Sequence, residues 1–265
     1  MVVFFTHERR DGIQLAVTDR SGGVSSAPFD GLNLARHVGD DPDHVSINRA
    51  RLAAELELPA DRLVFMNQCH GAHVEVVDGP WPAEPPECDA VVTTATDLAL
   101  VVLVADCVPV LLADPAAGVI AAVHAGRPGL LAGIVGATLD AMADLGARAP
   151  VALVGPSVCA RCYEVPEAMR SAAIAVAPAS AAVSWTGTPA IDVAGGVVEQ
   201  VAARGVPVTW VPGCTREDDR LFSYRRAPRT GRFAGVIRRY AAGVASRAAG
   251  EHPAYRAVDT GEAGR

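Results

Sequence analysis

The sequence predicts an α+β fold: a compact domain of layered mixed and antiparallel sheets flanked by helices. Predicted strands cluster in the middle of the chain as short hairpin-like pairs, whereas a doubly wound parallel sheet needs strands that alternate strictly with helices. Half of the 265 residues are apolar and a fifth are charged, which suits a protein with a substantial core. No repeat or low-complexity linker divides the chain. We therefore expect one domain over residues 1–248 and a flexible tail over 249–265, where apolar periodicity is lost.

Strands are predicted where short apolar runs are bounded by turn residues. These runs cover 13–18, 62–67, 73–78, 89–93, 98–105, 108–113, 119–124, 151–155 and 207–211. Helices are predicted where apolar residues recur at helical spacing over longer stretches, namely 44–57, 129–145, 166–178, 192–204 and 231–247. Asp43 is the expected N-cap of the first helix, and Pro128 stands where a first helical turn tolerates proline.

The charge and the apolar runs exclude several classes of protein. A net charge of −7 argues against sequence-independent binding of nucleic acid, which needs a basic surface. The apolar run near the N-terminus is too short for a signal peptide, and Asp106 and Cys107 interrupt the longest one, so we expect no membrane span. The sequence predicts a cytoplasmic protein, and it leaves the oligomeric state open.

The most apolar segment, residues 98–126, carries an acid, a thiol and an imidazole: Asp106, Cys107 and His124. Residues 113–119, "ADPAAGV", form a turn signal between two apolar runs. A two-residue loop would place Cys107 opposite His124, and a four-residue loop would make them diagonal neighbours. Both registers put the two side chains on one face, with Cβ atoms roughly 4.5–8 Å apart. A bulge at Gly118 would break this relation.

A thiolate and an imidazole at this separation can bind zinc or another borderline metal, or can act as a Cys-His nucleophile pair. The structural alternative is a buried thiol beside a hydrogen-bonded core histidine. Since a catalytic zinc usually has three protein ligands and an open position, we expect a third ligand. "NQCHGAHV" offers His70 at a strand end, and Cys69 and His73 suit the role less well.

Two further features are interpreted as structural or supporting. Asp106 points away from Cys107 on a regular strand, so it either orients a ligand histidine or caps the strand end. Cys159 and Cys162, in "CARC", have zinc-knuckle spacing, but no second Cys-x-x-Cys or His pair accompanies them. We interpret them as ordinary cysteines near a loop.

Motifs along nearly the whole chain resemble the YfiH-like family, once called polyphenol oxidase or laccase-domain proteins. They are "TDRSGGVSSAPFDGLNLARHVGDDPDHVSINRARL" (18–52), "NQCHG" (67–71), "CDAVVT" (88–93), "ADCVPVLL" (105–112), "AVHAG" (122–126), "GPSVCARCYEV" (155–165) and "CTREDDRLFSYRRAPRTGR" (214–232). Their number and order make the resemblance specific. The family usually continues His-Ala-Gly with Trp-Arg-Gly, whereas this chain has Arg127-Pro128-Gly129.

The resemblance implies that His70, Cys107 and His124 form a zinc site and catalytic centre in an αββα-type fold. It implies a purine nucleoside phosphorylase that cleaves adenosine, inosine and methylthioadenosine with phosphate, often with adenosine deaminase activity. Zinc in an open site can activate water for such deamination, although the His-x-Glu and Pro-Cys-x-x-Cys signature of zinc deaminases is absent.

Phosphate and nucleoside need further side chains. Arg127, at a predicted helix start, is a candidate phosphate ligand, as are Arg49 and Arg225. Gln68 is expected to contact substrate, and Asp106 is a catalytic candidate beside the metal ligands.

Three other functions are considered. A Cys-His amidase would use Cys107 as nucleophile, consistent with family members associated with editing of peptidoglycan precursors. A multicopper oxidase needs His-x-His pairs, and the seven histidines form none; copper binding in vitro is compatible with the site. A zinc-stabilised interaction module would need a fourth ligand, such as Cys69, Cys88 or Cys162.

Overall fold

The computed structural model describes residues 1–240, so the predicted tail over 249–265 lies outside the described residues. Within them the strands are β1 (Phe4–Arg10), β2 (Ile13–Thr18), β3 (Leu63–Phe65), β4 (Val74–Val76), β5 (Ala90–Thr93), β6 (Ala99–Val104), β7 (Val108–Asp114), β8 (Val119–Ala125), β9 (Val151–Val154), β10 (Ala181–Val183), β11 (Pro189–Ile191), β12 (Val208–Trp210) and β13 (Phe233–Arg239). The α-helices are α1 (Pro42–Glu55), α2 (Arg127–Ala132), α3 (Ile134–Asp144), α4 (Glu167–Val176) and α5 (Val193–Ala203). Short 3₁₀ turns cover Ala60–Arg62 and Pro178–Ser180.

Two mixed sheets form the centre of the fold, which confirms the α+β class. One has five strands in the order β1-β2-β13-β6-β3, and the other has six in the order β12-β9-β7-β8-β5-β4. Their facing sides share one apolar core, which includes Val102 of the five-stranded sheet and Leu111 and Ile120 of the six-stranded sheet. Helix α1 covers the outer side of the five-stranded sheet, and α2 to α5 cover the outer side of the six-stranded sheet. The layers therefore follow the order α, β, β, α. No helix in this part of the chain is long and apolar enough to cross a membrane.

The helix predicted over 231–247 is wrong for the residues that are described. Phe233–Arg239 is a strand that pairs with β2 on one side and β6 on the other. Phe233 and Ile237 face the inter-sheet core, and Ala234 and Val236 face α1. A strand buried on both faces is apolar at consecutive positions, so it lacks the alternation that identifies a half-buried strand.

Smaller differences also have local causes. The helix predicted over 129–145 is two helices, because Gly133 takes a left-handed φ of 81° between them. The N-cap of α1 is Asp41 and not Asp43; its carboxylate accepts the Asp43 N–H, and Pro42 begins the helix. Strand β1 escaped prediction because four of its seven side chains are charged or histidine. Strands β10 and β11 escaped because Ser, Thr, Gly and Pro surround them and no apolar run marks them.

The β7–β8 hairpin has the register of the four-residue loop. Asp114 pairs with Val119 and Pro109 pairs with His124. Cys107, immediately before β7, packs against the inter-sheet core, and His124 lies on the same face as Ile120 and Ala122 of that core. The hairpin therefore brings the thiol and the imidazole to the end of the layer between the two sheets.

Candidate metal centre and cleft

His70, Cys107 and His124 meet at the end of the inter-sheet layer. Their ligand atoms all lie within 4.8 Å of one another. The Cys107 Sγ is 3.7 Å from the His70 Nε2, and the two imidazole rings meet edge to face with centroids 4.7 Å apart. One thiolate and two imidazoles are a donor set that zinc prefers. The residues present thus fit the metal that the sequence predicts.

Gly126 makes this close approach possible. A Cβ at this position would lie 2.9 Å from the His70 Cδ2 and 3.1 Å from the Cys107 Sγ. The first contact is shorter than real Cβ atoms show, the second is tighter than most of them show, and both neighbours belong to the His70–Cys107–His124 cluster. The glycine of "HAG" is therefore required by the packing of the cluster.

Asp89, which sequence reasoning did not select, holds the cluster together. Its carboxylate is fully buried. One oxygen accepts the His70 N–H at 2.9 Å and lies 2.8 Å from the His124 Nδ1, and the other accepts the Gly71 N–H at 2.6 Å. The backbone bonds secure the left-handed φ of 65° at His70, which is uncommon for a residue with a side chain. The bond to Nδ1 leaves the His124 Nε2 for a metal or a proton.

The electrostatics of the metal-free cluster favour charge separation. Burial opposes ionisation of Cys107, but His124 and His70 lower the pKa of its thiol to about 6. Burial likewise opposes the charged form of His124, but Cys107 and Asp89 raise its pKa to about 9. Hydrogen bonds from His124, Cys69 and Gly71 outweigh burial and hold the pKa of Asp89 far below its usual range. Near neutral pH the arrangement is a thiolate beside an imidazolium.

None of the cysteines considered as a fourth ligand belongs to this cluster within residues 1–240. Cys69 contacts Asp89, Cys88 is buried in the core, and Cys162 lies in a different group. Three protein ligands with an open position are typical of a catalytic zinc, whereas structural zinc normally has four.

The cluster opens onto a cleft of about 580 Å³, a size typical of small-molecule sites. Its lining comes from strand ends, helix starts and loops at one end of the two sheets, and it includes three arginines and two tyrosines. The lining residues are His37, Gln68, His70, Leu103, Val104, Ala105, Asp106, Cys107, His124, Gly126, Arg127, Val158, Tyr163, Val193, Tyr224, Arg225, Pro228 and Arg232.

Four of the predicted supporting residues line this cleft, and their contacts differ: Gln68, Arg127, Arg225 and, described below, Asp106. Gln68 exchanges two hydrogen bonds of 2.8 Å with the backbone of Leu103, which fixes the loop before His70. Arg127 lies at the N-terminus of α2, partly exposed. The Arg225 guanidinium stacks on Tyr163 at 4.5 Å and donates to a backbone carbonyl.

Asp106 has the contacts of an anchor. Its buried carboxylate accepts the hydroxyls of Thr215 and Ser223 at 2.6 Å each and the Arg225 N–H at 2.7 Å. These bonds tie the 215–225 loop to the start of β7 beside Cys107. Its backbone φ is 98°, so the regular strand expected at this position is interrupted.

Arg49, predicted as a phosphate ligand, lies outside the cleft. It is absent from the cleft lining. Its Nε donates to the Leu34 carbonyl at 2.9 Å, and its guanidinium stacks on Phe65 at 3.6 Å. Burial, assisted by Arg36, lowers its pKa to about 9.

Arg232 occupies the cleft instead, and sequence reasoning missed it. Burial lowers its pKa, whereas Cys107 and Asp106 act in the opposite direction, so it faces the negative side of the cluster. The signal available in the sequence was its position at the end of the motif 214–232. Tyr163 and Tyr224, also missed, add aromatic surface.

Comparison with known proteins supports a single family. The family model described as multi-copper polyphenol oxidoreductase laccase matches residues 14–240. A purine nucleoside phosphorylase of Streptomyces coelicolor is 54% identical over 231 residues, covering 86% of this chain and 96% of the relative. One from Streptomyces griseus is 55% identical over 227 residues, covering 84% and 92%. The crystal structure of YlmD from Geobacillus stearothermophilus superposes with a TM-score of 0.79 at 30% identity, covering 87% of this chain and 93% of YlmD. The chain therefore belongs to the laccase-domain, or YfiH-like, family.

Proposed function

We propose that this protein is a zinc-dependent purine nucleoside phosphorylase. The observation that carries the proposal is the convergence of arginines and tyrosines on the His70–Cys107–His124 cluster in one cleft. Relatives about half identical over most of their length carry the name purine nucleoside phosphorylase. The substrates proposed are adenosine, inosine and methylthioadenosine, with phosphate as the second substrate, and the proposed location is the cytoplasm.

Phosphorolysis joins phosphate to C1′ of the ribose and releases the purine, so the site must hold an anion beside a sugar. Arg127 and Arg232 are proposed to bind the phosphate. No hydrogen bond or ion pair within residues 1–240 engages the Arg127 guanidinium. Among the same residues, the Arg232 side chain donates to the Thr230 and Gly231 carbonyls through Nη1. Planar guanidinium groups suit bidentate binding of phosphate oxygens.

The purine is proposed to lie against Tyr163 and Tyr224. Tyr224 is 54% exposed at the rim, and Tyr163 is backed by the Arg225 guanidinium. Aromatic rings of this kind stack on flat heterocycles. Gln68 keeps the cleft floor in place through the Leu103 backbone.

His70, Cys107 and His124 would hold the zinc, which when bound supplies a Lewis acid that orients and polarises the substrate. Asp89 fixes the His124 tautomer through Nδ1. The same centre is proposed to deaminate adenosine as a side reaction.

The test is product analysis of zinc-loaded protein incubated with adenosine, with and without phosphate. We expect adenine only when phosphate is present, and a smaller amount of inosine in both mixtures. Cys107→Ala should abolish both products. Cys88→Ala, which removes a buried thiol outside the cluster, should retain them. Adenine formation that survives in Cys107→Ala would refute the proposal.

A second function, Cys-His amidase chemistry, is favoured by one observation. Asp89, His124 and Cys107 form an acid–imidazole–thiolate relay, with Asp89 at 2.8 Å from Nδ1 and a depressed thiol pKa. Zinc and a free nucleophilic thiolate exclude each other. Amide hydrolysis that is fastest in chelator-treated protein and stops on zinc addition would favour the amidase over the phosphorylase.

A further inference from the structure

Three cysteines outside the candidate active site converge at one edge of the six-stranded sheet. Cys159 and Cys162 lie on the loop that follows β9, and Cys214 lies on the loop that follows β12. These strands are parallel neighbours, with Trp210 opposite Val154. Because both loops leave the carboxyl ends of parallel strands, they run side by side, and Ser157 bridges to Cys214.

The three sulfurs and a carboxylate oxygen of Glu217 all lie within 4.8 Å of one another. Cys162 is buried, and its Sγ is 3.3 Å from the Glu217 Oε1. All three thiols are unpaired by disulfides. Tetrahedral zinc with Zn–S bonds of about 2.3 Å separates its sulfurs by about 3.8 Å. Small side-chain rotations would therefore close this group around a metal ion.

The surroundings of the four groups resemble those of bound thiolates. The Cys159 N–H donates to the Cys214 Sγ at 3.4 Å. Burial raises the pKa of the Cys214 thiol, and the N–H groups of Cys159, Glu217 and Arg216 act in the opposite direction by favouring its thiolate. The Trp185 Nε1–H donates to the Glu217 Oε1 at 3.2 Å, and the Arg161 guanidinium stacks on that indole at 4.4 Å. N–H donors and a nearby cation offset the negative charge that several thiolates bring to a metal.

We propose that Cys159, Cys162, Cys214 and Glu217 form a second, structural zinc site. Four protein ligands close the coordination sphere, which is typical of structural zinc and unlike the open three-residue cluster. On binding, the three thiols release their protons to solvent and the metal joins the two loops.

The position of the site indicates a structural role, because its two loops also carry residues of the cleft. Tyr163, which lines the cleft, directly follows Cys162. Thr215 directly follows Cys214 and donates to Asp106, beside Cys107. A metal joining the loops would hold both cleft walls in place. Metal binding at this site does not depend on the activity proposed above.

The experiment measures metal in protein purified under reducing, oxygen-free conditions and dialysed against a weak chelator. We expect two zinc ions per chain in the unchanged protein, one in Cys107→Ala and one in Cys162→Ala. The thiol control Cys88→Ala should keep two. Glu217 is exposed, so Glu217→Gln should leave the fold intact and lower the zinc affinity of the Cys159–Cys162–Cys214 site at least tenfold. Asp219→Asn, at an exposed neighbouring position, should lower the zinc affinity of neither site.

Cobalt(II) loaded into Cys107→Ala identifies the ligands without relying on activity or on a cysteine variant of the new site. We expect the intense near-ultraviolet sulfur-to-cobalt band of several thiolates, together with protection of Cys159, Cys162 and Cys214 from alkylation. If Cys107→Ala binds no metal and its three remaining loop thiols, Cys159, Cys162 and Cys214, stay open to alkylation, the proposal is overturned. A disulfide between any two of them in the oxygen-free preparation, by mass spectrometry, would also overturn it.

Discussion

Asp89→Asn tests whether one buried carboxylate organises the metal cluster. In the native protein one carboxylate oxygen lies at the His70 N–H and the His124 Nδ1, and the other at the Gly71 N–H and the Cys69 thiol. Asparagine keeps the shape but replaces one oxygen with an NH₂ group. Whichever way the amide turns, one backbone N–H faces a donor.

The expected loss can be worked out from these contacts. A buried N–H left facing a donor costs about 1–3 kcal/mol, and each bond that loses a charged acceptor weakens by about 1 kcal/mol. The neutral amide is cheaper to bury than a carboxylate, which offsets part of the loss. We expect the free energy of unfolding of metal-free protein to fall by about 2–4 kcal/mol. Zinc affinity should fall about 10–100-fold, as for other residues that orient a ligand histidine.

The assay combines urea unfolding of metal-free protein with zinc competition against a chromogenic chelator. Asp114→Asn is the matched control, because Asp114 is also buried and accepts the N–H groups of Ala117, Arg148 and Ala149 at 2.7–2.9 Å, away from the cluster. It should lose comparable stability and keep its zinc affinity at the His70–Cys107–His124 site. Native zinc affinity in Asp89→Asn, or an equal loss in Asp114→Asn, would refute the reasoning.

Three further outcomes are expected. Gly126→Ala should lower zinc affinity at least tenfold, because the new Cβ would press on His70 and Cys107. The same zinc competition measures the affinity, and circular dichroism should show little change in the folding of the metal-free protein. Unchanged affinity would contradict the packing argument. In metal-free protein the rate at which Cys107 reacts with iodoacetamide should rise through pH about 6 and stay level above pH about 7. Cys88, whose pKa is raised by burial to about 12, should not react. A Cys107 rate that still increases at pH 9 would count against the thiolate. The affinity of the His70–Cys107–His124 cluster for zinc should rise with pH until about 9, because the proton that His124 retains below that pH competes with the metal. An affinity that does not change with pH would show that His124 is not a ligand.

The His70–Cys107–His124 cluster was accessible to sequence reasoning because the alternation of side chains along a strand is regular. Side chains alternate faces, so either hairpin loop length placed Cys107 and His124 on one face, and the observed register is one of the two considered. His70 followed from the need for a third ligand. Asp89 escaped because its role depends on distance in space: it immediately precedes β5, which becomes the neighbour of β8 only in the folded sheet.

The remaining differences arise where tertiary contacts decide a residue's role. Phe233–Arg239 has no alternation that marks a strand, because both of its faces are buried, one against the inter-sheet core and the other against α1. Cys159 and Cys162 look like an incomplete zinc motif in sequence. Their partner Cys214 is far away along the chain and reaches them because β9 and β12 are neighbours. Spacing rules capture local motifs, and long-range pairing of strands supplies the rest.

The substitution of Arg127-Pro128-Gly129 for the family's Trp-Arg-Gly changes which element supplies the aromatic surface. Pro128 fits the first turn of α2, and Arg127 lines the cleft where an indole would be expected. Tyr163 and Tyr224 line the same cleft from the two loops at the edge of the six-stranded sheet. The proposed purine substrate would therefore still find an aromatic ring to stack on, while the helix start offers a guanidinium in place of the indole. Because those tyrosines lie on the loops that the second cysteine cluster would join, substrate affinity in this protein should depend on how firmly these loops are held.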